Sequence, residues 1–165
     1  MNDAGNVLRE LIAAATLEDV RFFRLCAEEF EEPEADDEVE VPSFDFRVRQ
    51  FRKGSGAGRP GDDSIGLDFH LRVTAPIPDG TGEVVAEPVA TYVFPAEARS
   101  LLTSEGIKSF ANDVAVMVLV PYAREAVASL ALKGFRGAFL MPVIRRGELE
   151  FDVDFTLDAD EGVAE

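Results

Sequence analysis

The chain has 165 residues, the size of one ordinary domain, and its 47% hydrophobic and 29% charged residues mark a globular protein, not a disordered one. Its formal net charge of −16 repels phosphate backbones and anionic lipid headgroups, so nucleic-acid and membrane-surface roles are disfavoured. One cysteine (Cys26) excludes an internal disulfide, and one histidine (His70) is too little for a metal site or a histidine-based catalytic pair.

Met1-Asn2-Asp3-Ala4-Gly5 lacks the basic and apolar regions of a signal peptide, and the lone cysteine fits a reducing compartment, so a cytoplasmic protein is expected. From Val7 to Ala15, apolar residues recur at helical spacing, with Asn6 placed to cap a short amphipathic helix. Val20 to Ala27 reads as a first strand, extending toward Phe30, with Phe22 and Phe23 adjacent. The acidic run Glu28 to Glu40 is too charged to pack and is read as solvated loop or strand extension, open to a basic partner. A second strand covers Phe44 to Phe51, where Phe44, Phe46 and Val48 alternate with Asp45, Arg47 and Arg49.

Gly54 to Asp63 is a glycine-rich loop. Its Gly54-Ser55-Gly56-Ala57-Gly58 has no Lys-Ser after it and opens no helix, so it is not a phosphate loop. Ile65 to Thr74 alternates strictly and gives a third strand, with His70 on its polar face, solvated or paired. Glu83 to Phe94 gives a fourth, with Pro88 placing it at an edge or bulge. Without helix-length crossovers the sheet is antiparallel. After Pro95 a short helix spans Ala96 to Leu102 and Gly106 breaks it. A long helix then runs from Ile107 to about Lys133, bent or broken at Pro121 and stopped by Gly134. The longest apolar run, Val114 to Val120, stops at Pro121, and no stretch reads as a membrane span. Leu149 to Leu157 alternates again and reads as a strand before an acidic end (about 158–165). The whole is one domain, 1–165, of α+β class.

The stretch Val120-Pro121-Tyr122-Ala123-Arg124-Glu125 resembles the Phe-Pro-Tyr-Ala-Arg-Glu signature of the SecB export-chaperone family. Lys133-Gly134 and Phe139-Leu140-Met141-Pro142-Val143 resemble the glycine turn and apolar Pro-Val segment that follow it, one residue short in spacing. The resemblance covers most of Leu17 to Val143. It implies a four-stranded antiparallel sheet carrying a long kinked helix, and dimers associating into a tetramer. It also implies ATP-independent capture of unfolded polypeptides for the translocation ATPase SecA. Asp19 and Glu87, with Val85 beside them, match positions the family presents to that ATPase, whereas Phe23 stands where a third acidic residue belongs. Ala115-Val116-Met117 replace a Cys-Pro-Asn, and the family's C-terminal amphipathic helix has no counterpart in the pattern.

Thirteen phenylalanines and no tryptophan are unusual. Phe22, Phe23, Phe44, Phe46 and Phe51 on the first strands, and Phe135, Phe139 and Leu140 after the helix, are either plain core or an apolar groove that accepts many client sequences. Adjacent Phe22 and Phe23 face opposite sides, so one must leave the core. Pro121, Tyr122, Arg124 and Glu125 are read as structural, with Arg124 and Glu125 fixing the helix by an ion pair or an interface contact. No catalytic residue, metal or cofactor is expected. The reading is a holdase, with two alternatives: a chaperone dedicated to one client such as an antitoxin, or a small-molecule or lipid binder on the same fold.

Overall fold

The computed structural model describes residues 3–31, 41–51, 63–78, 80–135 and 139–158. Helix α1 (Asp3–Ala14) leads into strands β1 (Thr16–Glu29), β2 (Ser43–Phe51), β3 (Ile65–Pro76) and β4 (Gly82–Phe94). A 3₁₀ turn (Ala96–Leu101) precedes α2 (Ser104–Phe110), a π turn (Ala111–Ala115) and α3 (Val116–Gly134), which continue as one helix, Ser104–Gly134. All strand pairs are antiparallel and the spatial order is β1-β4-β3-β2. The four-stranded sheet with a long helix packed on it is the α+β architecture expected from the sequence.

Alternation decides the two faces of the sheet. Leu67, Phe69, Leu71 and Val73 of β3 are fully buried, and Phe44, Phe46 and Val48 of β2 pack beside them on the same side. The helix lays Ile107, Phe110, Val116, Leu119, Ala123 and Val127 on this inner face. Phe110 is the keystone: its ring lies 5.0 to 5.5 Å from those of Phe69, Tyr92 and Phe94. The outer face carries Arg21, Asp68, His70, Arg72, Arg47 and Arg49.

Several expectations are corrected. Asn6 is inside α1, not its cap, and its amide donates to Glu10 Oε1 (3.1 Å). Of the edge or bulge expected at Pro88, the structure gives the bulge, because β4 is central. The proline is tolerated because β1 is irregular between Phe22 and Arg24, and the β3 ladder is interrupted between His70↔Val89 and Val73↔Ala86. Gly106 does not break a helix. The break comes at Leu102–Thr103, where Thr103 Oγ1 accepts from the Gly106 N–H (3.0 Å) as an N-cap. Gly106 is buried, and a Cβ there would meet the Leu101 carbonyl oxygen at 2.5 Å. Of the bend or break expected at Pro121, the break does not occur, and a π turn ends six residues earlier, at Ala115.

By length and composition Ser104–Gly134 does suffice to cross a bilayer, contrary to the reading of its sequence, but its apolar side is packed on the sheet. Leu149 to Leu157 joins no sheet. It is an extended segment whose Leu149, Phe151, Val153, Phe155 and Leu157 pack on the core. Asn112 in the π turn holds it, donating to the Phe151 carbonyl (2.9 Å) and accepting from the Phe151 N–H (2.7 Å). Phe151 stacks on Phe46 at 5.2 Å. Most of the acidic run (32–40), the glycine-rich loop (52–62) and the acidic end (159–165) lie outside the described residues.

Candidate functional site

Helix α3 turns one stripe away from the sheet. Met117, Val120, Pro121, Arg124, Glu125 and Ala128 fall at i, i+3, i+4, i+7, i+8 and i+11, which places them on a single helical side. Opposite them runs the segment after the helix, anchored where Met141 is buried at 1% exposure. Met141 turns inward, whereas Leu140 and Val143 on either side of it are 68% and 66% exposed. With Ile144 they complete an open, largely apolar groove of about 440 Å³. Among the described residues neither Arg124 nor Glu125 has an ion-pair partner within 4 Å, so of the ion pair or interface contact expected for them the ion pair is not formed. They flank the groove instead, with the half-exposed Tyr122 beside them.

A second apolar surface lies along the edge strand. Leu17, Phe22 and Leu25 pair in register with Tyr92, Pro88 and Ala86, which puts them on the helix-bearing face, yet all three are exposed. Phe23 is the extra residue of the β1 irregularity and lies on the outer face. There its ring meets His70 edge-on (5.3 Å), and the Arg47 guanidinium sits over it at 5.1 Å.

Under Phe23 lies a nearly closed polar centre. Glu87 Oε1 accepts from Arg47 Nη2 (2.7 Å) and from His70 Nδ1 (2.9 Å), and the side chains of Glu87 and His70 are 4% and 2% exposed. Burial lowers the His70 pKa, the Arg47 charge adds to this, and the Glu87 hydrogen bond only partly opposes it, so the ring is neutral. Burial alone would raise Glu87, but its bonds from His70 and Arg47 prevail and hold it below the ordinary carboxylate value. Beside this centre Arg21 donates to Asp68 (2.8 Å) and to Thr91 (2.6 Å).

The structure does not gather the eight aromatic and apolar candidates into one site. Phe22, Phe23 and Leu140 are exposed, on three different surfaces. Phe44, Phe46, Phe135 and Phe139 are half-buried against the core, and the Phe51 ring covers Gly66 on the outer face. Of the three residues matched to a translocase contact, Asp19 is exposed, whereas Val85 and Glu87 are 3% exposed. Met117, Val120, Ala128, Val143 and Ile144 were not read from the sequence as binding residues, although the helical spacing of the first three around Pro121 was there to be read. Among the described residues no three His, Cys, Asp or Glu side chains come together as metal ligands.

No family model matches the chain, and no curated protein matches it by sequence. Among solved structures it is similar to the Mycobacterium tuberculosis SecB-like chaperone Rv1957, captured in complex with a ChAD peptide from the Rv1956 HigA1 antitoxin. The two are 17% identical with a TM-score of 0.56, over 87% of this chain and 96% of that one. The likeness is one of architecture: this chain has the SecB-like fold.

Proposed function

We propose that this chain is an ATP-independent chaperone that holds non-native polypeptide segments. The observation that carries the reading is the groove between α3 and residues 140–144. Its walls are apolar, its mouth is open, and Leu140 and Val143 stand exposed at its rim. An open apolar trough suits an extended chain better than a small molecule or lipid, which a closed cavity would enclose. Client segments bind weakly at each point, and several grooves in one assembly make the sum tight. Association of copies belongs to the same reading, with the exposed edge of β1 and its apolar residues as the surface that joins them. The net charge of −16 favours clients with basic segments.

Between export and a dedicated client, the outer face supports the dedicated client. The carboxylate of Glu87 is already held by Arg47 and His70, and is not presented to a translocase. The SecB-like structural neighbour bound to an antitoxin peptide supports the same choice.

The test dilutes a chemically unfolded protein into buffer with and without this chain, in the absence of nucleotide, and follows light scattering. Near-stoichiometric suppression is expected, and it should be lost in a Leu140→Asp/Val143→Asp variant whose stability is unchanged. A groove variant as active as the parent would move the binding surface elsewhere. No suppression with several unrelated clients, nor with an antitoxin segment, would sink the chaperone reading.

A further inference from the structure

On the outer face, away from the apolar groove, three arginines from three strands converge on one cavity of about 370 Å³: Arg24 of β1, Arg47 of β2 and Arg72 of β3. Asp45, Glu87 and the wall of His70 complete it. Arg47 is committed to Glu87, but Arg24 and Arg72 have no ion-pair partner within 4 Å among the described residues. With His70 neutral, the three guanidinium groups outweigh the two carboxylates by one positive charge, in a protein of net charge −16. The positive charge in excess has no carboxylate of its own in the cavity, and an anion seated between the arginines balances it.

The second observation is His70 itself. It is 1% exposed, its Nδ1–H is taken by Glu87, and its Nε2 is buried with no hydrogen-bond partner. A buried polar atom left without a partner is costly and rare in a settled fold. With Nδ1 as the donor, Nε2 is a bare acceptor, so the ring that lines the cavity responds to any ligand charge placed beside it.

We infer that this cavity is an oxyanion site for a small phosphate or carboxylate species, held by Arg24 and Arg72 against the Arg47–Glu87–His70 centre. Guanidinium groups suit such oxygens because their planar N–H forks pair with them two at a time. The inference is independent of the chaperone reading, since it rests on the opposite face of the sheet and predicts nothing about client capture.

His70 is the chain's only histidine, so its ring resonances are identified without ambiguity. The experiment titrates the protein with inorganic phosphate and, separately, with succinate, at fixed pH and ionic strength, following those resonances by NMR. At least one probe should shift them saturably below about 10 mM, the range of a weak two-arginine site. An Arg24→Gln/Arg72→Gln variant should bind about tenfold or more weakly, as expected for lost charge-assisted hydrogen bonds. Arg9→Gln, on the exposed side of α1, should leave the titration unchanged. Phosphate alone shifting the ring assigns phosphoryl ligands, and succinate alone assigns carboxylates. No saturable shift with either probe, or equal titration of the double variant, would overturn the site.

Discussion

Acid should loosen this fold through one residue, and the amount can be worked out. In the unfolded chain His70 takes up a proton near the ordinary value of 6.5, whereas in the folded protein burial holds its pKa lower. Between those two values the unfolded state binds one proton more, so lowering the pH favours unfolding. Stability is therefore fully present above about pH 6.5 and falls below it, until the folded ring protonates in turn. One proton sets a ceiling of about 1.4 kcal/mol lost per pH unit in that window. Glu87 acts in the same direction at lower pH. Its folded pKa lies below the ordinary 4.5, so its contribution is present above that value and lost as the pH falls through the folded one. The assay is urea denaturation at several pH values between about 7.5 and 5, with His70→Gln measured alongside to cancel the general effect of discharging an acidic surface. The wild type should lose stability relative to the variant as pH falls through that range. A wild type that tracks His70→Gln throughout, or an imidazole whose NMR titration midpoint sits at or above 6.5, would refute the reasoning.

Three further outcomes follow from packing. Gly106→Ala should destabilise by roughly 1–3 kcal/mol in thermal or urea unfolding, because its Cβ meets backbone oxygen at 2.5 Å, which cannot swing aside as a side chain would. Phe110→Ala, at the meeting point of three other rings and 1% exposed, should cost about 3–5 kcal/mol by the same measurements. Asn112→Ala removes both hydrogen bonds to Phe151. It should cost roughly 1–3 kcal/mol and speed proteolysis within residues 149–158, read by mass spectrometry of the first cleavage products.

Much of the fold was legible because alternation and helical spacing are direct consequences of burial. Phe44, Phe46 and Val48 against Asp45, Arg47 and Arg49 told the two faces of β2 apart, and Gly134 ended the long helix where a glycine should. The misreadings share a physical cause: local signals do not report what lies across from a residue. Pro88 fits an edge or a bulge equally well until the neighbouring strands are seen to give way around it. Gly106 looks like a breaker until Leu101 and Leu11 are seen pressed against it. The alternation from Leu149 to Leu157 is that of any extended chain with one buried side, whether or not a neighbouring strand takes up its backbone hydrogen bonds. At the candidate site, the helical stripe through Pro121 was readable, but the depth at which Met141 anchors the facing wall depends on the core beneath it. The polar centre was hidden for the same reason, since His70, Glu87 and Arg47 come from three strands.

The π turn at Ala111–Ala115 acts as a phase shifter. One extra residue in a helix rotates everything after it by about 100°, given 3.6 residues per turn. Carried on without it, the spacing of Ile107 and Phe110 would lead to Val114, Val118 and Pro121 as the next buried positions. With it, Ala115, Leu119 and Ala123 go inside, and Pro121, Arg124 and Glu125 swing out to line the groove. A single-residue insertion or deletion in this turn is thus a rotary adjustment, able to re-aim the whole lining stripe while the sheet beneath stays as it is.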